Sequence, residues 1–105
     1  LGDAFSPPPP PPVTTDTTKP VAFIQSPVNG YVIPKSIKTL PVAAYGTDNV
    51  AVVSMSINVN GITTNYTGDM FTYSMNVSGR GTYNITVTAK DKAGNIGSRS
   101  IAVKK

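Results

Sequence analysis

Three stretches of this chain alternate between apolar and polar residues, and that period of two sets what the chain can fold into. Val53, Met55, Ile57 and Val59 alternate with Ser54, Ser56, Asn58 and Asn60. Phe71, Tyr73, Met75 and Val77 alternate with Thr72, Ser74 and Asn76, and Tyr83, Ile85, Val87 and Ala89 with Asn84, Thr86, Thr88 and Lys90. In an extended strand successive side chains point to opposite faces, so each stretch carries one core face and one solvent face. No segment sustains the 3.6-residue period of a helix. The residue types agree, because β-branched and aromatic side chains suit a half-buried pleated surface.

Turn chemistry falls between these runs. Asn60-Gly61 suits a two-residue hairpin in which both residues take positive φ. Asn29-Gly30, Gly46-Thr47-Asp48-Asn49, Gly68-Asp69, Ser78-Gly79-Arg80-Gly81 and Ala93-Gly94-Asn95 are further turn signals. The pattern predicts seven strands, at about 20–25, 38–45, 50–59, 62–67, 70–77, 82–90 and 96–103. Short strands at this spacing form a sandwich or a barrel. Two positions resist the pattern. Pro41 lies inside the second strand, which predicts an edge strand or a bulge there. Ile96 has the opposite parity to Ile101 and Val103, which predicts a bulge near Gly97-Ser98.

Upstream of the strands, Pro7 to Pro12 are six consecutive prolines followed by Val13-Thr14-Thr15-Asp16-Thr17-Thr18. Such a run favours polyproline II and acts as a semi-rigid spacer. Residues 1–18 are therefore expected to be a proline-rich linker and 19–105 the folded domain. A spacer implies a neighbour on its far side, with Leu1 to Ser6 as that neighbour's last residues. No apolar run reaches the ~20 residues of a membrane helix. No signal sequence opens the chain, so an export signal is expected upstream or already removed.

The absences narrow the function. The 105 residues contain no His, Cys, Trp or Glu. That excludes Ser–His and Cys–His nucleophile pairs and the usual zinc ligand set. The only carboxylates are Asp3, Asp16, Asp48, Asp69 and Asp91. The chain is expected to be non-catalytic and to require no cofactor. Its nine basic residues give a net charge of +4 but are scattered rather than interleaved with aromatics, so no nucleic-acid surface is expected.

With these residues in view, the chain resembles bacterial immunoglobulin-like domains of the kind appended to secreted proteases and glycoside hydrolases. Asp16-Thr17-Thr18-Lys19-Pro20 followed by Ser26-Pro27-Val28-Asn29-Gly30 is similar to their opening. Thr47-Asp48-Asn49-Val50-Ala51-Val52, Val59-Asn60-Gly61 and Gly81-Thr82-Tyr83 through Ala93-Gly94-Asn95 resemble later family segments in the family's order. The resemblance covers residues 16 to 103. It implies a seven-stranded antiparallel immunoglobulin-like or fibronectin III-like Greek-key sandwich behind the tether, secreted or at the cell surface of a bacterium. Tyr83, near the start of the sixth strand, resembles a tyrosine corner whose hydroxyl bonds a nearby backbone group.

In that topology Asp16, Asp48-Asn49 and Asp91-Asn95 share one pole. Asp16, Asp48 and Asp91 are the candidate ligands for Ca²⁺, which takes six to eight hard oxygen ligands. The alternative is that these residues only close turns. Tyr31, Tyr45 and Tyr66, near turns or off the inward parities, are candidates for a sugar-binding platform. Phe23 is expected to face outward and to pack on a neighbouring domain. Asn65-Tyr66-Thr67, Asn76-Val77-Ser78 and Asn84-Ile85-Thr86 match the glycosylation acceptor pattern, which is short enough to arise by chance in a chain rich in Asn, Ser and Thr. The resemblance implies a monomeric accessory domain of a secreted hydrolase, with a protease slightly favoured over a glycosidase, acting as spacer, stabiliser or weak substrate-positioning module. A carbohydrate- or cell-wall-binding module and an adhesin stalk domain are the alternatives.

Overall fold

The computed structural model describes residues 16–105, and the proline run lies outside the described residues. Seven antiparallel strands form the described part, and it contains no helix: β1 (Val21–Ser26), β2 (Thr39–Thr47), β3 (Val52–Val59), β4 (Ile62–Thr67), β5 (Met70–Asn76), β6 (Thr82–Asp91) and β7 (Ile96–Lys104). They assemble into two sheets, one in the order β1-β2-β5 and the other in the order β4-β3-β6-β7. The sheets face each other across one apolar core, a β-sandwich. Each strand lies within two residues, at either end, of its position expected from alternation and turn chemistry.

The inward faces supply the core. Val42, Ile57, Met75, Ile85 and Val87 are fully buried, and Val77 and Ile33 close the core from the connections. Burying one such side chain contributes about 1.5–3 kcal/mol. Between β3 and β4, Asn60 and Gly61 both have positive φ, 49° and 93°. That is the pair of conformations a type I′ hairpin demands, and Asn-Gly is the dipeptide that supplies it most readily.

Three expectations are corrected. The strand holding Pro41 is not an edge but the middle strand of its sheet, and its ladder with β5 runs unbroken through Pro41↔Ser74. The ladder with β1 has already ended at Ser26↔Ala43, so the sheet is two-stranded at Pro41 and a missing N–H is tolerated there. Ile96 needs no bulge at Gly97-Ser98. The β6–β7 register is continuous from Thr82↔Lys104 to Lys90↔Ile96, and Ile96 simply faces out, 56% exposed. The irregularities fall instead at Ile24/Ser26 in β1 and Val52/Ser54 in β3. The second of these turns Val52 inward in place of the expected Val53, which is 40% exposed.

At the end of the sandwich where β6 begins, Tyr83 packs against the core and its hydroxyl donates to Gly79 O at 2.5 Å. This ties the β5–β6 connection to the strand that follows it. Lys105 Nζ donates to Ile37 O at 2.5 Å and Val77 O at 2.6 Å, closing carbonyls from two connections with one side chain. Replacing Tyr83 by Phe keeps the ring and removes the bond. It should cost about 1 kcal/mol, seen as a lower urea midpoint with an unchanged slope.

Candidate metal centre

The opposite pole is built by a taper in the core. Along β2 the inward residues shrink from Val42 to Ala44 to Gly46, and along β6 from Val87 to Ala89. A Cβ placed on Gly46 would stand 3.0 Å from Ala89 Cβ and 3.3 Å from a Val52 methyl, so the two sheets approach more closely here than any larger pair would allow. Two residues further along each strand direction come Asp48 and Asp91. The same parity that buries Gly46 and Ala89 therefore aims both carboxyl groups into one gap.

Asp16 arrives from the other direction, along the segment that leads into β1. It lies on the tether side of the expected boundary at residue 18, yet it is already attached to the domain. Asn95 Nδ2 donates to Asp16 O at 2.7 Å and to Asp91 Oδ2 at 2.9 Å. Asn95 N also donates to Asp91 Oδ1 at 2.8 Å. One ligand oxygen from each of Asp16, Asp48 and Asp91 lies within 4.8 Å of the other two.

The hydrogen bonding of the three carboxylates is unequal. Asp91 is 1% exposed, with both oxygens engaged by Asn95. Asp16 Oδ1 accepts from Thr18 N at 3.0 Å and Asp48 Oδ2 from Val50 N at 3.4 Å, each closing its own turn. The second oxygen of each, Asp16 Oδ2 and Asp48 Oδ1, is buried with no hydrogen-bond partner. A buried carboxylate oxygen without a donor or a cation is costly. Turn closure accounts for half of each carboxylate and leaves the other half unexplained.

The titration of the pair follows from this. For Asp16 the Thr18 N–H, the largest single influence, favours the ionised form. Desolvation and the neighbouring carboxylates of Asp91 and Asp48 together outweigh it and hold Asp16 above the ordinary carboxylate value. For Asp91 desolvation is the largest influence and pushes upward. The hydrogen bonds from the Asn95 side chain and backbone are the main opposing influence, and Asp91 is held below the ordinary value.

The other candidate residues do not converge. Tyr31 sits in an apolar hollow with Pro27, Val28, Leu40 and Pro41. Tyr45 lies on the outer face of the three-stranded sheet, stacked on Phe23 with centroids 4.8 Å apart and planes 14° from parallel. Tyr66 stacks on Phe71 at 4.4 Å and 7° and packs against the core. The three tyrosines form no common platform, and two of them already have a ring face covered. Phe23 does face outward, where the Arg99 guanidinium lies over its ring at 5.5 Å. Sequence reasoning placed Asn95 at this pole but did not give it its part as the clasp joining Asp16 to Asp91. It missed Gly46 and Ala89 as well, although the shrinking inward residues of β2 and β6 were a readable signal.

No family model matches the chain, and no curated protein matches it.

Without a cation, Asp16→Asn should stabilise the protein at pH 7, because it removes a charge that the fold disfavours and keeps the acceptor for Thr18 N. The gain should vanish below the ordinary carboxylate value near 3.8, since a raised folded value means that Asp16 supports the fold only when protonated. Asp91→Asn should destabilise at pH 7, because an amide NH₂ would face the Asn95 donors. Asp91 has a lowered folded value, so its contribution is present above 3.8 and lost as the pH falls through the folded value. Urea denaturation of both variants in chelator at pH 7 and pH 3 checks the signs.

Proposed function

We propose that this chain is a non-catalytic immunoglobulin-like accessory domain of a larger secreted bacterial protein, and that its three-aspartate pole takes Ca²⁺ to hold the tether against the sandwich. The order β1-β2-β5 against β4-β3-β6-β7 supports the immunoglobulin-like or fibronectin III-like Greek-key reading. The Tyr83–Gly79 bond supports it too, having the form of a tyrosine corner. An extracellular hydrolase, a protease ahead of a glycosidase, is the parent that this reading favours. The role on the domain's side is mechanical: to end a proline spacer on a defined surface.

The observation that carries the metal reading is the pair of buried oxygens on Asp16 and Asp48, set beside the fully buried Asp91. Calcium binds oxygen at about 2.4 Å, so two ligands on one ion stand at most about 4.8 Å apart. The separations of the three carboxylates fall within that limit. Asp16, Asp48 and Asp91 would hold the ion, which would supply the opposite charge that the cluster lacks. Asp16 would then join the tether to the β2–β3 connection and the end of β6 through the ion as well as through Asn95.

A thermal melt in chelator and in about 10 mM Ca²⁺ tests this. At an affinity usual for extracellular modules the transition should rise by roughly 5–20 °C. Asp16→Asn should abolish most of the rise, and an unchanged transition in the unsubstituted protein would remove the metal reading. Gly46→Val should also weaken the response, because it forces β2, which leads directly into Asp48, away from β6, which ends in Asp91.

A further inference from the structure

The two seams of the sandwich are finished differently. At one seam β1 and β7 are the edge strands, and they protect each other. Arg99 Nε donates to Ala22 O at 3.0 Å, and Gly97 lies so tightly on Pro20 O that no side chain fits between them. β1 is irregular at Ile24/Ser26 and bounded by Pro20 and Pro27, while β7 carries Arg99 and Lys104. Charges, prolines and bulges are the devices by which edge strands avoid pairing with other chains.

At the other seam β4 and β5 are the edges, and they carry none of these devices. Ile62-Thr63-Thr64-Asn65-Tyr66-Thr67 and Met70-Phe71-Thr72-Tyr73-Ser74-Met75-Asn76 contain no charge, proline or glycine. Their ladders to β3 and β2 run without a register shift. The one charged residue between them is Asp69, in the turn. β4 is the less well covered of the two. It has no buried residue, and Ile62 at its start is 73% exposed, whereas β5 buries Phe71 and Met75. Among the described residues the side of β4 away from β3 has no strand beside it.

We propose that the β4 edge is an interaction surface for a second copy of this chain, pairing antiparallel with its own β4 about a two-fold axis. Self-pairing sets an edge strand against its own side chains, so a charged edge would oppose like charges. β4 has none to oppose. The pairing continues the outer face of the four-stranded sheet, where Asn65, Ser56, Thr88 and Ser98 form one uncharged row and Thr63, Asn58, Thr86 and Ser100 the next. The free N–H and C=O groups of each β4 then meet those of its partner, which is how an open sheet edge recruits an added strand. The resulting dimer departs from the monomer expected from the sequence.

Sedimentation equilibrium of the full chain from micromolar to about millimolar concentration tests the proposal, with amide chemical shifts followed on dilution. The expected result is a monomer–dimer equilibrium whose shift changes centre on residues 62–67. Asn65→Lys, at an exposed position, should weaken dimerisation about tenfold or more while leaving the thermal transition within a few degrees. Ser98→Lys, on the same outer face beside the closed seam, should leave the equilibrium unchanged. A chain that stays monomeric throughout overturns the proposal. So does a dimer whose shift changes fall on β5 or on the Phe23–Tyr45 surface, or one equally sensitive to the two lysine substitutions. Carrying out the measurements in chelator keeps this result separate from the calcium reading.

Discussion

The close approach of the two sheets between Gly46 and Ala89 governs the acidic pole and, through it, the attachment of the segment leading into β1. Elsewhere the sandwich is held apart by branched side chains such as Val42, Ile57 and Val87. Here a missing Cβ and a methyl bring β2 and β6 together, and the parity of each strand delivers an aspartate into the gap that follows. A packed interior transmits such a choice of volume directly, because it has little free space to absorb it. The geometry of the polar pole is thus set by the apolar residues beneath it.

That geometry leaves the pole in electrostatic tension. Asn95 satisfies Asp91 and fastens Asp16 O, while Asp16 and Asp48 each give one oxygen to a local turn and leave the other buried and unpaired. The opposite shifts of Asp16 and Asp91 express this. The carboxylate with hydrogen-bond donors on both oxygens stays ionised, and the one with fewer donors resists ionisation beside it. A divalent cation resolves such an arrangement, and so would protonation. The two differ in the pH range over which the segment leading into β1 is held. Folds of this shape host many roles, so the proposed accessory function rests on this pole and not on the sandwich.

Much of the fold was legible because alternation is a local signal. Tyr83, Ile85, Val87 and Ala89 had to share a face whatever their partners, and the positive φ values at Asn60 and Gly61 were already written in the dipeptide. Errors arose where a neighbouring strand decided the outcome. Pro41 is tolerated in a middle strand because β1 stops short of it. Ile96 faces outward because β6 pairs with β7 without interruption. Val52 replaces Val53 because β3 slips against β6. None of these can be read from the strand that carries the residue. The tyrosines show the same limit. Being off the inward parity identified Tyr45 as outward, but only the cross-strand pairing Phe23↔Tyr45 shows what covers its ring.

By itself the sequence determined an all-β chain of seven short strands, the places where they turn, and the inward residues of most of them. These follow from side-chain parity and from backbone conformations that few residues adopt. The topology implied by the sequence resemblance also placed Asp16, Asp48 and Asp91 at one pole, but it could not say how near they stand. Only the tertiary structure decided that, since the three are separated by dozens of residues and meet because two sheets pinch at Gly46 and Ala89. It likewise decided which strands would be edges and which edges would be closed. Edge status is a property of the assembled sheet, and no residue of β4 carries it alone.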